Sequence, residues 1–158
     1  MASELAVVVA ILGAVGAAAL YAFKRLRAAL AASLVGEIAE ALNVIEMHDI
    51  ERILGQASEG SSASVALPAF SAIAYRSQVN RLGLLGSHLA RLTAAFYESL
   101  SVLGEELHAL AAETSETERI ERKKLIMTEL QQTFALGDDV LQGLRSLISR
   151  HDASISRA

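Results

Sequence analysis

The sequence predicts an all-α protein in which a single N-terminal transmembrane helix continues into a small cytoplasmic antiparallel helical bundle. Residues 5–23 form a stretch of 19 residues without a charged side chain. The 158-residue chain has one proline and no tryptophan, and it is rich in alanine, leucine and glutamate, a composition that favours helices. Residues 28–158 suffice for the core of one small bundle and not for two domains.

The first element, residues 5–23, has the length and composition of a membrane anchor. As a helix it would be about 28 Å long, close to the hydrocarbon thickness of a bilayer. A cleaved signal peptide is one alternative, but it needs positive charge before the apolar run, and Glu4 stands there instead. A core helix of a soluble protein is the other, and it would carry polar residues along one side. The sequence therefore predicts an anchor domain of residues 1–27.

Three basic residues after the apolar stretch predict its orientation. Lys24, Arg25 and Arg27 directly follow it, and no basic residue precedes it. By the positive-inside rule, the flank richer in lysine and arginine stays in the cytoplasm. We therefore expect the N-terminus outside and the bundle domain, residues 28–151, in the cytoplasm, with membrane lipid as one partner of the chain.

Small residues recur within the predicted span. Ala10, Gly13, Ala14 and Ala18 lie near four-residue steps, and small residues at such steps let two helices approach closely in lipid. The alternative is chance in an alanine-rich span, because a four-residue step turns about 40° past a full circle and the pattern drifts around the helix. Helix self-association through these residues is one prediction, and a simple anchor is the other.

The composition of residues 28–158 excludes several classes of function. This part of the chain carries 17 acidic and 11 basic residues, so a nucleic-acid partner is not expected. The absence of cysteine removes disulfides, iron–sulfur clusters and thiolate zinc sites. No glycine-rich phosphate loop follows a strand and no nucleophile elbow is present. We predict no cofactor and no small-molecule substrate.

Breaker residues divide the bundle domain into helices. The first helix should continue from the span to Leu54, with Gly55 at its cap, and residues 56–66 read as a flexible loop. Pro68 should open the second helix, and Gly83 with Gly86 should end it. The apolar side of this second helix is predicted to contain Phe70, Ile73, Ala74 and Val79.

Two longer helices follow. Ser87 should cap a third helix that runs to Ala112. Ser115 and Glu118 form a capping box for a fourth helix, which should end near Arg150 and leave residues 152–158 as a flexible tail. The predicted buried face of the third helix is Leu89, Leu92, Phe96, Leu100, Leu103, Leu107 and Leu110. That of the fourth is Ile120, Met127, Leu130, Phe134, Leu141, Leu144 and Ile148.

The stretch from 67 to 97, LPAFSAIAYRSQVNRLGLLGSHLARLTAAFY, resembles that of small single-span bacterial inner-membrane proteins with a cytoplasmic helical domain. The resemblance covers about a fifth of the chain. In those proteins a proline commonly follows the turn, where this chain has Gly86 and Ser87. The resemblance implies a location in the bacterial inner membrane and brings no activity with it. The matching positions are Tyr75, Asn80, Leu82, Gly83, Leu84, Leu85, Phe96 and Tyr97.

Few residues are candidates for chemistry. Glu105 and His108 have the Glu-x-x-His spacing of di-iron bundles, but such a site needs a second copy and two further glutamates. His48, with Glu46 nearby, is the other candidate metal ligand, and its spacing is wrong. Exposed polar positions on helices explain these residues more simply, so no catalytic or metal residue is predicted.

The sequence therefore predicts a membrane-anchored interaction or scaffold protein that binds a cytoplasmic protein partner or a second copy of itself. Long helices with apolar stripes must pack against something, and an enzyme is disfavoured because no polar residues converge. A metal-dependent helical-bundle enzyme is one alternative. A structural component of a phage or secretion assembly is another, although spanin-like proteins place their coil outside, opposite to the charge asymmetry here.

Overall fold

The described parts of the chain form helices and no strand, which confirms the all-α prediction. The computed structural model describes residues 2–47, 54, 72–113 and 115–155. The elements are α1 (Ala2–Met47), α2 (Ile73–Gln78), a 3₁₀ helix (Val79–Leu85), α3 (Ser87–Ala112) and α4 (Glu116–Ile155). The predicted helix end at Gly55, the 56–66 loop, Pro68 and Phe70 lie outside the described residues.

Helix α1 has two parts with different surroundings. Its 46 residues give a length of about 69 Å at 1.5 Å per residue. From Leu30 onward, one side of the helix is packed in the core, and Leu34 and Ile38 are fully buried. Residues 7–26, called here the projecting segment, extend beyond the bundle with their large apolar side chains exposed. The apolar stretch therefore continues into the bundle as one helix, as the absence of a breaker predicts.

Helices α3 and α4 run antiparallel. Ser99 on α3 meets Thr133 on α4, and further down the pair Glu106 meets Arg122, so numbers rise along one helix as they fall along the other. Helix α1 packs against α4 in the same antiparallel sense. The short α2 and the 3₁₀ helix lie against α1 at the end from which the projecting segment emerges.

Glycine at position 137 lies in close contact with two other helices of the bundle. A methyl group on Gly137 would lie 2.8 Å from the side chain of Leu42 on α1 and 3.1 Å from that of Phe96 on α3. Distances this short are below normal van der Waals contact, so a larger residue at position 137 would require the Leu42 side chain to shift. The core is centred around this point, and Phe96 is its largest fully buried side chain.

The buried faces of α3 and α4 are both close to the prediction. On α3 only Leu92 is half-buried, and Thr93 is fully buried in its place. On α4 six of the seven predicted residues are buried or pack partly buried against the core: Met127, Leu130, Phe134, Leu141, Leu144 and Ile148. The predicted Ile120 is exposed, while Ile126 and Val140, which were not predicted, are fully buried. The inward positions of α4 follow a regular alternation of four and three residues: 126, 130, 133, 137, 140 and 144. Two of these positions are Thr133 and Gly137. Neither is a large apolar residue, so the pattern of apolar residues in the sequence does not identify them as inward positions.

The prediction for the apolar side of the second helix is wrong for two of its residues, whereas Ala74 is half-buried. Ile73 and Val79 are exposed, and Tyr75, Leu82 and Leu85 turn inward instead. The reason is that α2 lasts only six residues before the chain tightens into the 3₁₀ helix, and three residues per turn present a different set of positions to the core.

The helix ends are partly as predicted. Gly86 adopts φ 91° and precedes α3, so glycine is needed there and Ser87 is helical rather than the cap. The Ser115 hydroxyl accepts a bond from the Glu118 N–H at 3.5 Å, which is half of the predicted capping box. The other half is replaced, because the Ser115 N–H donates to Glu113 at 3.0 Å. Helix α4 continues past Arg150 to Ile155, so residues 152–155 are helical, and 156–158 lie outside the described residues.

Candidate functional site

Most of the exposed large apolar side chains that the structure describes lie in the projecting segment. Its side chains include Val9 and Leu12, which are 62% and 66% exposed, and its last turns include Tyr21 and Phe23. Because residues from Leu5 to Leu20 carry no polar side chain, this helix has no polar face to turn toward water. Of the described helices, α1 alone is long and apolar enough to cross a membrane, judged by length and composition over Val9–Glu46.

The small residues of the span lie on this exposed surface. Ala10, Gly13, Ala14 and Ala18 are all exposed, and a methyl group on Gly13 would meet nothing within 4 Å. They are therefore accessible to a second helix. The structure contains no second helix against them, so their predicted role in self-association stays a prediction.

The three basic residues after the span, called here the collar, do not share one environment. Lys24 and Arg25 are exposed. Arg27 is half-buried, and its Nη2 donates a hydrogen bond at 3.0 Å to the carbonyl of Leu85, the last residue of the 3₁₀ helix. The sequence identified Arg27 only as a topology signal. The structure adds a second role, because this bond joins the end of the projecting segment to the end of the 3₁₀ helix.

Ten residues further along α1, Glu37 makes a second set of hydrogen bonds, which join α1 to α2 and α3. Its carboxylate accepts hydrogen bonds from the N–H groups of Ala74 at 2.6 Å and of Tyr75 at 3.2 Å, and from the hydroxyl of Tyr97. The first two bonds satisfy N–H groups in the first turn of α2, which have no partner within that helix. Glu37, Tyr75 and Tyr97 together are called the clasp below.

The tyrosines of the clasp pack face to face. Their ring centroids are 4.0 Å apart with an interplanar angle of 15°, so the two rings are stacked. Burial, together with the hydrogen bond to Glu37 and the charge of its carboxylate, raises the pKa of Tyr97 well above its ordinary value. Tyr97 therefore stays protonated and remains a donor. Tyr75 and Tyr97 are two of the positions that carry the resemblance, and their contact gives those positions a structural role.

A polar seam joins α3 to α4. The Ser99 and Thr133 hydroxyls lie 2.7 Å apart, and Thr133 also donates to the carbonyl of Glu129 at 2.7 Å. Near the far end of the bundle, Arg122 and Glu106 form an ion pair at 2.5 Å. Buried hydroxyls need partners, so these contacts fix the register of the two helices. They do not form a reaction site.

The candidate metal ligands are not brought together. Glu105 and His108 are exposed on α3, and Glu105 accepts a hydrogen bond from Ser101 at 3.5 Å on the same helix. His48 lies outside the described residues, while Glu46 is exposed. Within the described ranges, no group of three or more histidine or acidic side chains is placed to hold a metal ion. No observation in this part of the chain favours a metal-dependent enzyme.

The fold and its exposed surface define a class: an antiparallel α-helical bundle whose first helix extends beyond it as an apolar rod. No family model, no curated protein and no solved structure matches the chain. The resemblance to single-span inner-membrane proteins therefore stays a prediction.

Proposed function

We propose that the chain is a single-pass membrane protein in which residues 1–27 anchor a helical bundle that binds a protein partner or a second copy of itself at the bacterial inner membrane. The observation that supports the anchor is the continuity of α1. One helix has a fully buried stripe from Leu30 onward and exposed valine, leucine and isoleucine side chains on all sides of residues 7–20.

Free-energy arguments support the anchor. A fully buried valine, leucine or isoleucine side chain is more favourable by about 1.5–3 kcal/mol than an exposed one. The projecting segment leaves many such side chains exposed. This arrangement is unfavourable in water and favourable in a bilayer, which also accepts the helical backbone because its hydrogen bonds are internal.

The orientation rests on the collar. Lys24 and Arg25 face outward at the end of the apolar rod, and Arg27 is bonded to the bundle through Leu85. The collar and the bundle are therefore on the same side of the span. By the positive-inside rule that side is the cytoplasm.

A membrane-extraction experiment tests the anchor. The full chain should remain in the membrane pellet after alkaline carbonate treatment, and Leu12→Asp with Val15→Asp should release it, because acidic side chains at the centre of a span are costly. Glu40→Asp, at an exposed position of the bundle, is the control and should stay in the pellet. Release of the unaltered chain would refute the anchor.

A reporter experiment tests the orientation. A reporter fused after Ala158 should be active only if it works in the cytoplasm. Activity of a periplasmic phosphatase at that position would reverse the assignment. Replacing Lys24, Arg25 and Arg27 by glutamate should weaken the orientation.

Self-association is the favoured mode of binding, because Ala10, Gly13, Ala14 and Ala18 leave room for a second backbone. Anchoring also raises the local concentration of the bundles, which strengthens a weak contact between them. Crosslinking in membranes should trap dimers, and Ala14→Ile should reduce them. Ala19→Ile is the matched control, since position 19 lies about 140° around the helix from position 14. Strictly monomeric protein in mild detergent, with no partner recovered, would refute the interaction role.

A further inference from the structure

A cleft of about 240 Å³ opens beside α1 where the projecting segment meets the bundle. It lies between the collar and the C-terminal part of α4, two regions separated by more than a hundred residues in the sequence. The residues that line it are Lys24, Arg27, Ala28, Leu147, Arg150 and His151.

Among the described residues, the polar side chains that line the cleft are three cations and one histidine. Lys24 and Arg27 come from α1, and Arg150 and His151 come from α4. In the part of the chain that the structure describes, no acidic side chain lines the cleft, although the chain as a whole has a formal net charge of −4. Asp152 follows His151 in the sequence and is exposed. Drawing like charges together is unfavourable unless an anion lies between them.

Arg27 gives the second observation. Its Nη2 is held by the carbonyl of Leu85 at 3.0 Å, so the guanidinium has a fixed position. Its Nε is buried and lacks a hydrogen-bond partner among the described residues. A buried donor without a partner is unfavourable, and Arg27 is one of the residues that line the cleft, where an anion would offer acceptors to its guanidinium. Guanidinium groups match phosphate oxygens in geometry as well as in charge.

The depth of the cleft identifies the kind of anion. Lys24 directly follows Phe23, the last residue of the apolar stretch, and Arg27 lies about 6 Å beyond Phe23 along the helix axis. The polar headgroup layer of a bilayer is about 5–8 Å thick on each side. If residues 5–23 span the membrane as proposed above, the cleft lies at the level of the lipid phosphates, and Ala28 with Leu147 gives it an apolar wall.

We propose that this cleft binds the phosphate of an anionic phospholipid headgroup in the leaflet from which α1 emerges. Lys24 and Arg150 supply charge from the exposed rim, and Arg27 supplies a positioned donor from the buried side. The bound headgroup would join the end of α4 to the anchor and set the height of the bundle above the membrane. This proposal rests on the proposed membrane anchor.

Native mass spectrometry of the full chain in mild detergent tests the site, with phosphatidylglycerol as the anionic probe and phosphatidylcholine as the neutral one. The unaltered chain should retain phosphatidylglycerol in preference to phosphatidylcholine. Lys24→Gln with Arg150→Gln should weaken phosphatidylglycerol binding by about 10–30-fold, since each basic residue near a membrane surface contributes about a factor of five. Both side chains are exposed, and the bond from Arg27 to Leu85 is retained.

Arg76→Gln with Arg145→Gln is the matched control. It removes the same charge from exposed positions that do not line the cleft, and it should leave the preference unchanged. Equal losses in both double variants, or no preference in the unaltered chain, would refute the site. Displacement of the lipid by millimolar inorganic phosphate would instead assign the cleft to a soluble phosphate and refute the lipid as its source. Carbonate extraction of the same chains keeps the two proposals apart, because loss of the headgroup alone leaves the protein in the membrane pellet.

Discussion

The two halves of α1 have similar apolar content and opposite surroundings. In the projecting segment, Val9 and Leu12 are mostly exposed, whereas Leu34 and Ile38 in the packed half are fully buried. The arrangement of polar residues differs between them. The packed half carries Glu40 and Glu46 on its exposed side, and the projecting segment has no polar side at all before Tyr21. A helix with one apolar stripe needs to pack on that face only, whereas a helix that is apolar all round needs apolar surroundings on every side.

The difference teaches that apolarity alone does not identify a membrane helix. The segment that is long and apolar enough by composition extends from Val9 to Glu46, and the latter part of it belongs to the core of the bundle. The distribution of charge around the helix separates the two halves. In the packed half, Glu37 accepts the hydrogen bonds of the clasp, and Glu40 and Glu46 are exposed. The following predictions test this division, in order of expected effect.

The largest effect should come from a buried charge in the packed half. Ile38→Asp places a carboxylate at a fully buried position, so it should cost more than about 4 kcal/mol in the free energy of unfolding. Leu12→Asp in the projecting segment is the control and should change the stability of the bundle by less than about 0.5 kcal/mol. Thermal melts followed by circular dichroism in mild detergent measure both. Similar losses in the two variants would mean that the halves are not distinct.

A cavity at the centre of the core should have the next largest effect. Phe96→Ala removes the largest fully buried side chain and should cost about 3–5 kcal/mol. An unchanged melting temperature would place Phe96 on the surface and contradict the inward face of α3.

Two glycine substitutions sharpen the comparison along α1. Gly137→Ala on α4 places a methyl group 2.8 Å from Leu42 of the packed half and should destabilise the protein by about 1–3 kcal/mol through overpacking. Gly36→Ala is the control on the exposed side of α1, where the methyl group meets nothing within 4 Å. It should be neutral or stabilise the helix by about 0.5–1 kcal/mol. Opposite signs in chemical unfolding are expected, and a stabilising Gly137→Ala would refute the close approach.

The smallest effect should come from the clasp. Tyr97→Phe removes the hydroxyl that donates to Glu37 while keeping the stacked ring, so it should cost about 1–2 kcal/mol. Tyr75→Phe keeps both the ring and the N–H bond to Glu37 and should cost less. A larger loss from Tyr75→Phe than from Tyr97→Phe in equilibrium unfolding would contradict the assigned hydrogen bonds.

Several features of the fold could be predicted because they depend on local chemistry. The bounds of α3, Ser87–Ala112, match the prediction, since the break at Gly86 needs a positive φ that only glycine adopts readily. The inward face of α3 was also largely predictable, because leucine and phenylalanine occupy nearly all of its inward positions. By contrast, Ile120 was misplaced on α4, where Thr133 and Gly137 occupy inward positions without being large and apolar.

The candidate sites likewise combine features that the sequence shows with features that depend on packing between distant segments. The sequence marks Lys24, Arg25 and Arg27 as a charge cluster, since charge and position along the chain are visible in it. It gives no sign that Arg150 and His151 lie beside them, because antiparallel packing of α4 on α1 brings them together across the whole length of the chain. The clasp is equally hidden: a carboxylate on α1 and two tyrosines become a unit only when three helices meet.

The sequence by itself determined the helical class, the uncharged stretch that forms the projecting segment, the collar and the break before α3. Each of these follows from a short run of residues whose backbone preferences, charge or apolarity act locally. Only the tertiary structure decided which residue of each turn faces inward, that Arg27 bonds to Leu85, and that the C-terminal part of α4 completes a basic cleft with α1. These are contacts between segments far apart in the chain. Their geometry depends on the volumes of the side chains where helices meet, as at Gly137, because those volumes limit how closely two helices can approach.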